Sequence, residues 1–444
     1  MYTIVMTSRE HFEGKRIAVV GLGPHGEMVA DTKFLIKMGA LTSVYDLRSE
    51  ARLKSHLVLL RSVGLANYVC GSIPADDLMD MDLIILSPEY PRDSSFLKKA
   101  REKGVAIEYP ETFFLKQAPP VTVVGILGSA GKSTVVSMLS PMLTIACASY
   151  EDQGFFVIDP EQSDGIIANL KKVKNGDVVL MRIPEPMMRE YRDLNMSPHV
   201  AVFVSLPRGP AFDQSPFEIL AYQTYNNYIV ASDEIVDAIR LYKFQPKAKM
   251  LRTKAVLIPP DWQLNGRGLH DRDNAALALQ VARLFKVSDE TVRQVLEKWK
   301  PLKAHIELVK KVKNVEFYND AASVTAHATI AALEAVSVER NVVLIFGGAG
   351  SGLDYRELYG VLPNYAHTVV TLPGSGTLRE RARLREINNL VVESAPSLEE
   401  AVRIAFEHAR KGDRVLFSPG FDAGGFDRSR KERGERFVKA VRGL

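Results

Sequence analysis

A chain of 444 residues is too long for one hydrophobic core, and its length predicts two to four domains. The composition is that of a folded protein, 46% hydrophobic and 25% charged, and 57 basic against 53 acidic residues leave a net +4, too balanced for a nucleic-acid footprint. No window approaches ~18 apolar residues, and the two cysteines, Cys70 and Cys147, form no CxxC pair. These features predict a cytoplasmic protein without membrane insertion, its thiols kept reduced.

The first unit in chain order reads "RIAVVGLGPHGEMVADTKFLIKMGALTSVYDLRSE". Residues 17–20 are expected as a strand, 21–26 as a glycine turn, 27–38 as a helix, and 43–45 as a second strand ending at Asp46. "DLIILSPEYP" reads as a strand ending at Ser87-Pro88, and "GVAIEYP" as a shorter one before the helical "ETFFLK". The turn "GLGPHG" fits GxGxxG after a strand, with Asp46 about twenty residues on, so a dinucleotide site is one open reading. Pro119-Pro120 marks a hinge, and the first domain is expected over 1–119.

The second segment opens with "VTVVGILGSAGKSTVVSML". An apolar strand runs into Gly128-Ser129-Ala130-Gly131-Lys132-Ser133-Thr134 and then into a helical pattern. Gly128 and Gly131 let the backbone approach anionic oxygens, successive N–H groups can form a nest, and the helix adds its positive end. Lys132 would reach the β/γ-phosphates and Ser133 would sit on Mg²⁺. The spacing is the short GxxGKST form, because Ile126 stands where GxxxxGK[ST] has its first glycine. A plain glycine turn with solvated Lys and Ser is the bland alternative. Strands are expected at 177–182, 199–205 and 228–231, and the domain ends in a Pro/Gly-rich linker, giving boundaries of 120–267.

The third segment, 268–444, begins with a helix at His270 and continues with strands at 315–318, 342–346, 368–372 and 414–417. Strands alternating with helices throughout predict an α/β fold of three domains with parallel sheets. Asp320, between a strand and a helix, could be no more than an N-cap. Met187 and Met188 read as core filler. The basic end, "FDRSRKERGERFVKAVRGL", reads as a solvated helix face or a local anion site.

The two glycine turns, in this order and at this distance, resemble those of the Mur ligases of peptidoglycan synthesis, in particular their D-glutamate-adding branch. The similarity spans essentially the whole chain and implies a Rossmann-like first domain, a P-loop central domain and a Rossmann-like third domain. "VVGLGPHG", "YDLR" and "LIILSPEYP" match the first-domain motifs, which by resemblance places Leu22, Gly23, Asp46, Arg48 and Ser87 on a UDP-sugar. "GSAGKST" matches the ATP loop, with Ala130 where Asn is usual, so Gly128 to Thr134 would hold ATP. "HDRDNAALAL" would put Asn274 near adenine, and "YNDAASVTAHATIAAL" would put Asp320 near the ribose.

The resemblance implies an amide ligase acting on small molecules, UDP-N-acetylmuramoyl-L-alanine and D-glutamate, with ATP and Mg²⁺ as cofactors and a monomer as the working form. ATP would convert the substrate carboxylate to an acyl phosphate, with Lys132 and Ser133 as the catalytic pair and Ser133 on the metal. The chain departs from the family pattern at several places. Arg182 stands where the family has a metal-binding Glu, and Thr224 where it has a carbamylated lysine. Ala322, Val324, Ser351, Ala423 and Arg430 replace groups expected around the incoming amino acid. Two other readings therefore remain open: a non-catalytic relative binding UDP-sugar or ATP as a regulator, and a ligase with another amino-acid substrate.

Overall fold

The computed structural model describes residues 9–23, 26–88, 90, 92–128, 131–159, 165–188, 190–205, 217–242, 244–265, 269–350, 354–421, 423 and 429–444. They form three sheets. The first contains β1 (Arg16–Val20), β2 (Leu41–Asp46), β3 (Asn67–Cys70), β4 (Leu83–Leu86) and β5 (Ala106–Glu108), in the order β3-β2-β1-β4-β5 and all parallel. Central β1 is apolar and buried from Ile17 to Val20, as a strand covered on both faces requires. β2 starts two residues before the expected strand because Thr42 and Ser43, though polar, are buried between β1 and β3. β3 was not anticipated; it is a partly buried edge strand with little apolar signal.

The second sheet contains β6 (Thr122–Leu127), β7 (Phe155–Ile158), β8 (Val178–Arg182), β9 (Val200–Phe203), β10 (Tyr228–Ser232) and β11 (Lys249–Thr253). Its order is β11-β10-β9-β6-β8-β7, again with every pairing parallel. Edge strands β7 and β11 were not expected from the sequence. β6 lies between β8 and β9, so the loop after it opens at the carboxyl ends of its two neighbours.

The third sheet contains β12 (Glu307–Val312), β13 (Val315–Asn319), β14 (Val342–Phe346), β15 (Ala366–Thr371), β16 (Val391–Ser394) and β17 (Arg414–Phe417), in the order β12-β13-β17-β14-β15-β16. It departs from the all-parallel expectation at one edge, where β12 and β13 are antiparallel. The cause is local: Lys313 and Asn314 both have positive φ, 46° and 68°, and a two-residue connection can join only antiparallel strands. Alternate residues of β14 serve two cores. Val343 and Ile345 pack on one face, and Val342, Leu344 and Phe346 on the other.

The chain divides into two compact units, one of Met1–Thr253 with Leu279–Ser288 and one of Lys254–Ala278 with Asp289–Leu444. The first holds the first two sheets and the expected boundary at 119/120; the boundary at 267/268 lies outside the described residues. Asp31 ties the first unit together. This 1% exposed side chain, from the helix Val29–Lys37, accepts backbone N–H bonds from Ile166, Ile167 and Ala168 at 3.1, 2.7 and 3.3 Å. Burial nonetheless raises its carboxyl from 3.8 to about 6. Arg92 adds an ion pair to Glu190 at 2.9 Å. Glu111 lies in the same unit with 1% exposure and, among the described residues, receives no hydrogen bond from any other residue. Burial raises its carboxyl from 4.5 to about 7.

Candidate functional site

Two glycine turns leave parallel sheets at their carboxyl ends, where open α/β sheets place ligands. After β1, the chain passes Leu22 and Gly23, the latter with φ +79°. Asp46 closes β2, and Ser87 follows β4, its N–H donating to Val20 O at 2.8 Å. Because β2, β1 and β4 are neighbours, all five expected UDP-sugar residues meet at one sheet edge.

Asp46 organises that edge. It is fully buried and accepts the N–H of Leu22 at 3.0 Å and that of Arg48 at 2.9 Å. The Arg48 guanidinium also donates to it through Nε at 2.8 Å and reaches Gly23 O through Nη1, again at 2.8 Å. Burial alone would push the Asp46 carboxyl up. The Arg48 side chain and the two backbone N–H groups outweigh it and hold the carboxyl below its usual value.

The second turn follows β6. Gly128 has φ +123°, and a Cβ there would stand 2.7 Å from Ser205 O, so only glycine fits. Gly131, at φ 78°, is the left-handed N-cap of the helix Lys132–Ala148. Ser129 and Ala130 lie outside the described residues. Lys132 Nζ donates to Gly128 O, within the loop itself. Ser133 and Thr134 follow in the first helical turn, so the loop, the lysine and the positive helix end face one place.

A divalent cation at Ser133 was expected, and the side chains described there do not fit one. Arg182, the last residue of β8, brings Nη1 to 3.4 Å from Ser133 Oγ. Its Nε lies 2.7 Å from Asp159 Oδ1. Among the described residues no group of three or more His, Cys, Asp or Glu side chains is placed to hold a metal ion. Asp159 and Ser205 were both missed in the sequence. Asp159 follows a four-residue strand too short to detect, and Ser205 touches the loop only through the pairing of β6 with β9.

In the second unit, Asn274 is 6% exposed on the helix Leu269–Leu284. Asp320 is 3% exposed; its Oδ2 lies 2.8 Å from Ser418 Oγ and its Oδ1 accepts the Ile306 N–H at 3.3 Å. Burial raises its carboxyl from 3.8 to about 7. It is no N-cap, since Thr325 caps the next helix by accepting from Ala328 N at 3.3 Å. The basic C-terminal helix Arg430–Arg442 is not wholly a solvated face. Arg433 is 2% exposed and donates through Nη2 to Ala321 O at 3.3 Å and Phe421 O at 3.0 Å. Thr224 sits in a turn, donating Oγ1 to Asn227 Oδ1 at 3.0 Å. Met187 and Met188 are core residues, 0% and 1% exposed. A cleft of about 450 Å³, lined by Tyr150, Asn175 and Phe285 among others, lies at the far end of the helix that Lys132 begins, away from the loop.

Comparison with known proteins agrees with this fold. Residues 15–108 match the family described as Mur ligase MurD-like, N-terminal domain, and residues 306–421 match Mur ligase, glutamate ligase domain. The UDP-N-acetylmuramoylalanine–D-glutamate ligase of Roseiflexus sp. (strain RS-1) is 26% identical, the match covering 96% of this chain and 98% of that one. That of Koribacter versatilis is 27% identical over 97% of each chain. The chain is thus similar to the Mur ligases over nearly its whole length, and two of its segments match Mur ligase domain models. Solved Mur ligases show the same fold. UDP-N-acetylmuramate-alanine ligase MurC of Thermotoga maritima has a TM-score of 0.60 at 16% identity, covering 97% of this chain and 99% of its own. MurF ligase of Thermotoga maritima, solved in complex with ADP, has 0.55 at 18%, covering 100% and 97%.

Proposed function

We propose that this Mur ligase relative is an ATP-dependent amide-bond ligase of peptidoglycan precursor synthesis, adding D-glutamate to UDP-N-acetylmuramoyl-L-alanine through an acyl phosphate. The observation that carries it is the loop after β6. Left-handed Gly131 starts a 17-residue helix, with Lys132 and Ser133 in its first turn beside glycine-only Gly128. In this reading residues 1–119 hold the UDP-sugar through Leu22, Gly23, Asp46, Arg48 and Ser87. Residues 120–267 hold ATP through Gly128 to Thr134, and 268–444 hold the amino acid, with Asn274 toward adenine.

Asp320 needs a modified role. Its carboxylate is engaged by Ser418 and Ile306, which makes it a brace for the loops after β13 and β17. Lys132 neutralises charge on the transferred phosphoryl group, and no step is assigned to a metal.

A second reading, a relative that binds UDP-sugar and nucleotide without turnover, is favoured by the Arg182 side chain beside Ser133. Phosphate release from ATP separates the two. Release that requires both UDP-N-acetylmuramoyl-L-alanine and D-glutamate supports the ligase. Binding of both nucleotides with no release supports the second reading, and release only with another amino acid reassigns the substrate.

A further inference from the structure

A serine that follows the lysine of a phosphate loop ordinarily offers its hydroxyl to Mg²⁺. Here the hydroxyl of Ser133 faces a fixed cation of another kind. Arg182 shares a sheet rung with Ile126 of β6, so it emerges beside the strand that feeds the loop. Asp159 follows β7, whose Ile158 pairs with Met181 of β8, so carboxylate and guanidinium leave adjacent strands side by side. The pair is sequestered, with 12% of the Arg182 side chain and 9% of Asp159 exposed. The Nε edge of the guanidinium therefore lies in an ion pair 2.7 Å from the Asp159 carboxylate, while Nη1 donates to Ser133 Oγ at 3.4 Å.

Charge makes this arrangement hostile to a metal. A divalent ion on the Ser133 hydroxyl would press against a like charge in a partly dehydrated place, where repulsion is poorly screened. The nearby Asp159 carboxylate is already neutralised by Arg182. Glu111, whose carboxyl also feels Arg182, is held toward its protonated form by burial. A guanidinium, by contrast, suits phosphate: it is planar, always charged, and presents five N–H donors that match two oxygens at once.

We infer that Arg182 stands in for the divalent cation, so that the loop binds a nucleoside polyphosphate between Lys132 and Arg182 without Mg²⁺. Asp159 is the positioning residue that aims the guanidinium. This rests on the nucleotide reading of the loop given above, and it extends that reading by naming the ligand form: metal-free ATP or ADP.

The test is calorimetric titration of the full chain with ATP in excess Mg²⁺ and again in excess EDTA. Affinities within about threefold of each other are expected, or tighter binding in EDTA. Arg182→Gln should lose about tenfold in both buffers. Arg182→Glu should bind only when Mg²⁺ is present, because a carboxylate there would make a metal ligand beside Ser133. Wild-type binding that weakens tenfold or more in EDTA overturns the inference and leaves the nucleotide site standing. No ATP binding in either buffer, from a sample that still binds the UDP-sugar, overturns the nucleotide reading itself and the inference with it. The wild-type comparison needs no variant, so the result does not depend on a substituted chain folding.

Discussion

The two glycine turns of the first unit share one device, an arginine clamped by a carboxylate at the carboxyl end of a parallel sheet, yet they assemble it differently. Asp46 and Arg48 are two residues apart, and the same carboxylate also gathers the N–H of Leu22. Asp159 and Arg182 come from different strands and meet only because β7 pairs with β8. The first clamp shapes its own loop. The second aims a charge into a neighbour's loop, beside Ser133. A pair built within one turn is a structural brace, whereas a pair built across strands can place a cation where ligand chemistry happens.

Breaking the first clamp should have the largest effect. Asp46→Ala strands a partly buried guanidinium and two backbone N–H groups, and should cost about 3–5 kcal/mol in urea unfolding. UDP-sugar affinity should fall with it. If stability stays within about 1 kcal/mol of wild type, the clamp does not hold the loop.

Next in size is the buried carboxyl near the second clamp. Burial raises Glu111 from 4.5 to about 7, so the folded chain holds this proton more tightly than the unfolded chain does. Its contribution to stability is fully present below pH 4.5 and is lost as pH rises to about 7, a change of roughly 3 kcal/mol. Asp31 and Asp320, also raised by burial, act with the same sign. Urea unfolding at pH 5 and pH 8 should show Glu111→Gln less pH-sensitive than wild type by that order. Equal slopes in the two proteins would mean that Glu111 is solvated.

Lys132→Ala should weaken ATP binding at least about tenfold while UDP-sugar affinity holds within about twofold. Titrating both ligands into one sample checks this. Unchanged ATP affinity would remove the loop after β6 from the comparison altogether.

The smallest change is a control in the other unit. Ser397 caps the helix Leu398–His408, accepting from Glu400 N at 3.2 Å. Ser397→Ala should lower stability by about 1 kcal/mol in thermal melting. UDP-sugar and ATP affinities should not move, since the cap bears on neither clamp.

Local signals carried much of this protein. The GKST loop, the GxGxxG turn with Asp46 after it, and the apolar runs of β1, β6 and β14 each lie within a short stretch of chain, so spacing and periodicity led to an α/β fold with two anion-ready turns, while Arg48 came from the family resemblance. Edge strands β3, β7 and β11 escaped because they are short and only partly buried. The Lys313-Asn314 turn escaped because positive φ at non-glycine residues leaves little trace in composition.

What the sequence could not reveal was which charges meet. Arg182 reads as a substituted residue at a strand end, and Asp159, 23 positions earlier, belongs to no motif. Only strand pairing puts them in contact and points the guanidinium at Ser133. Burial likewise decided that Asp320 is enclosed with Ser418 and Ile306 on its carboxylate, that Glu111 resists ionisation, and that Arg433 is packed on a helix that reads as surface. Chain-local patterns specify backbone geometry because hydrogen bonding and side-chain periodicity act over a few residues. Desolvation and charge pairing act through space, and they are settled only once the sheets have brought distant segments together.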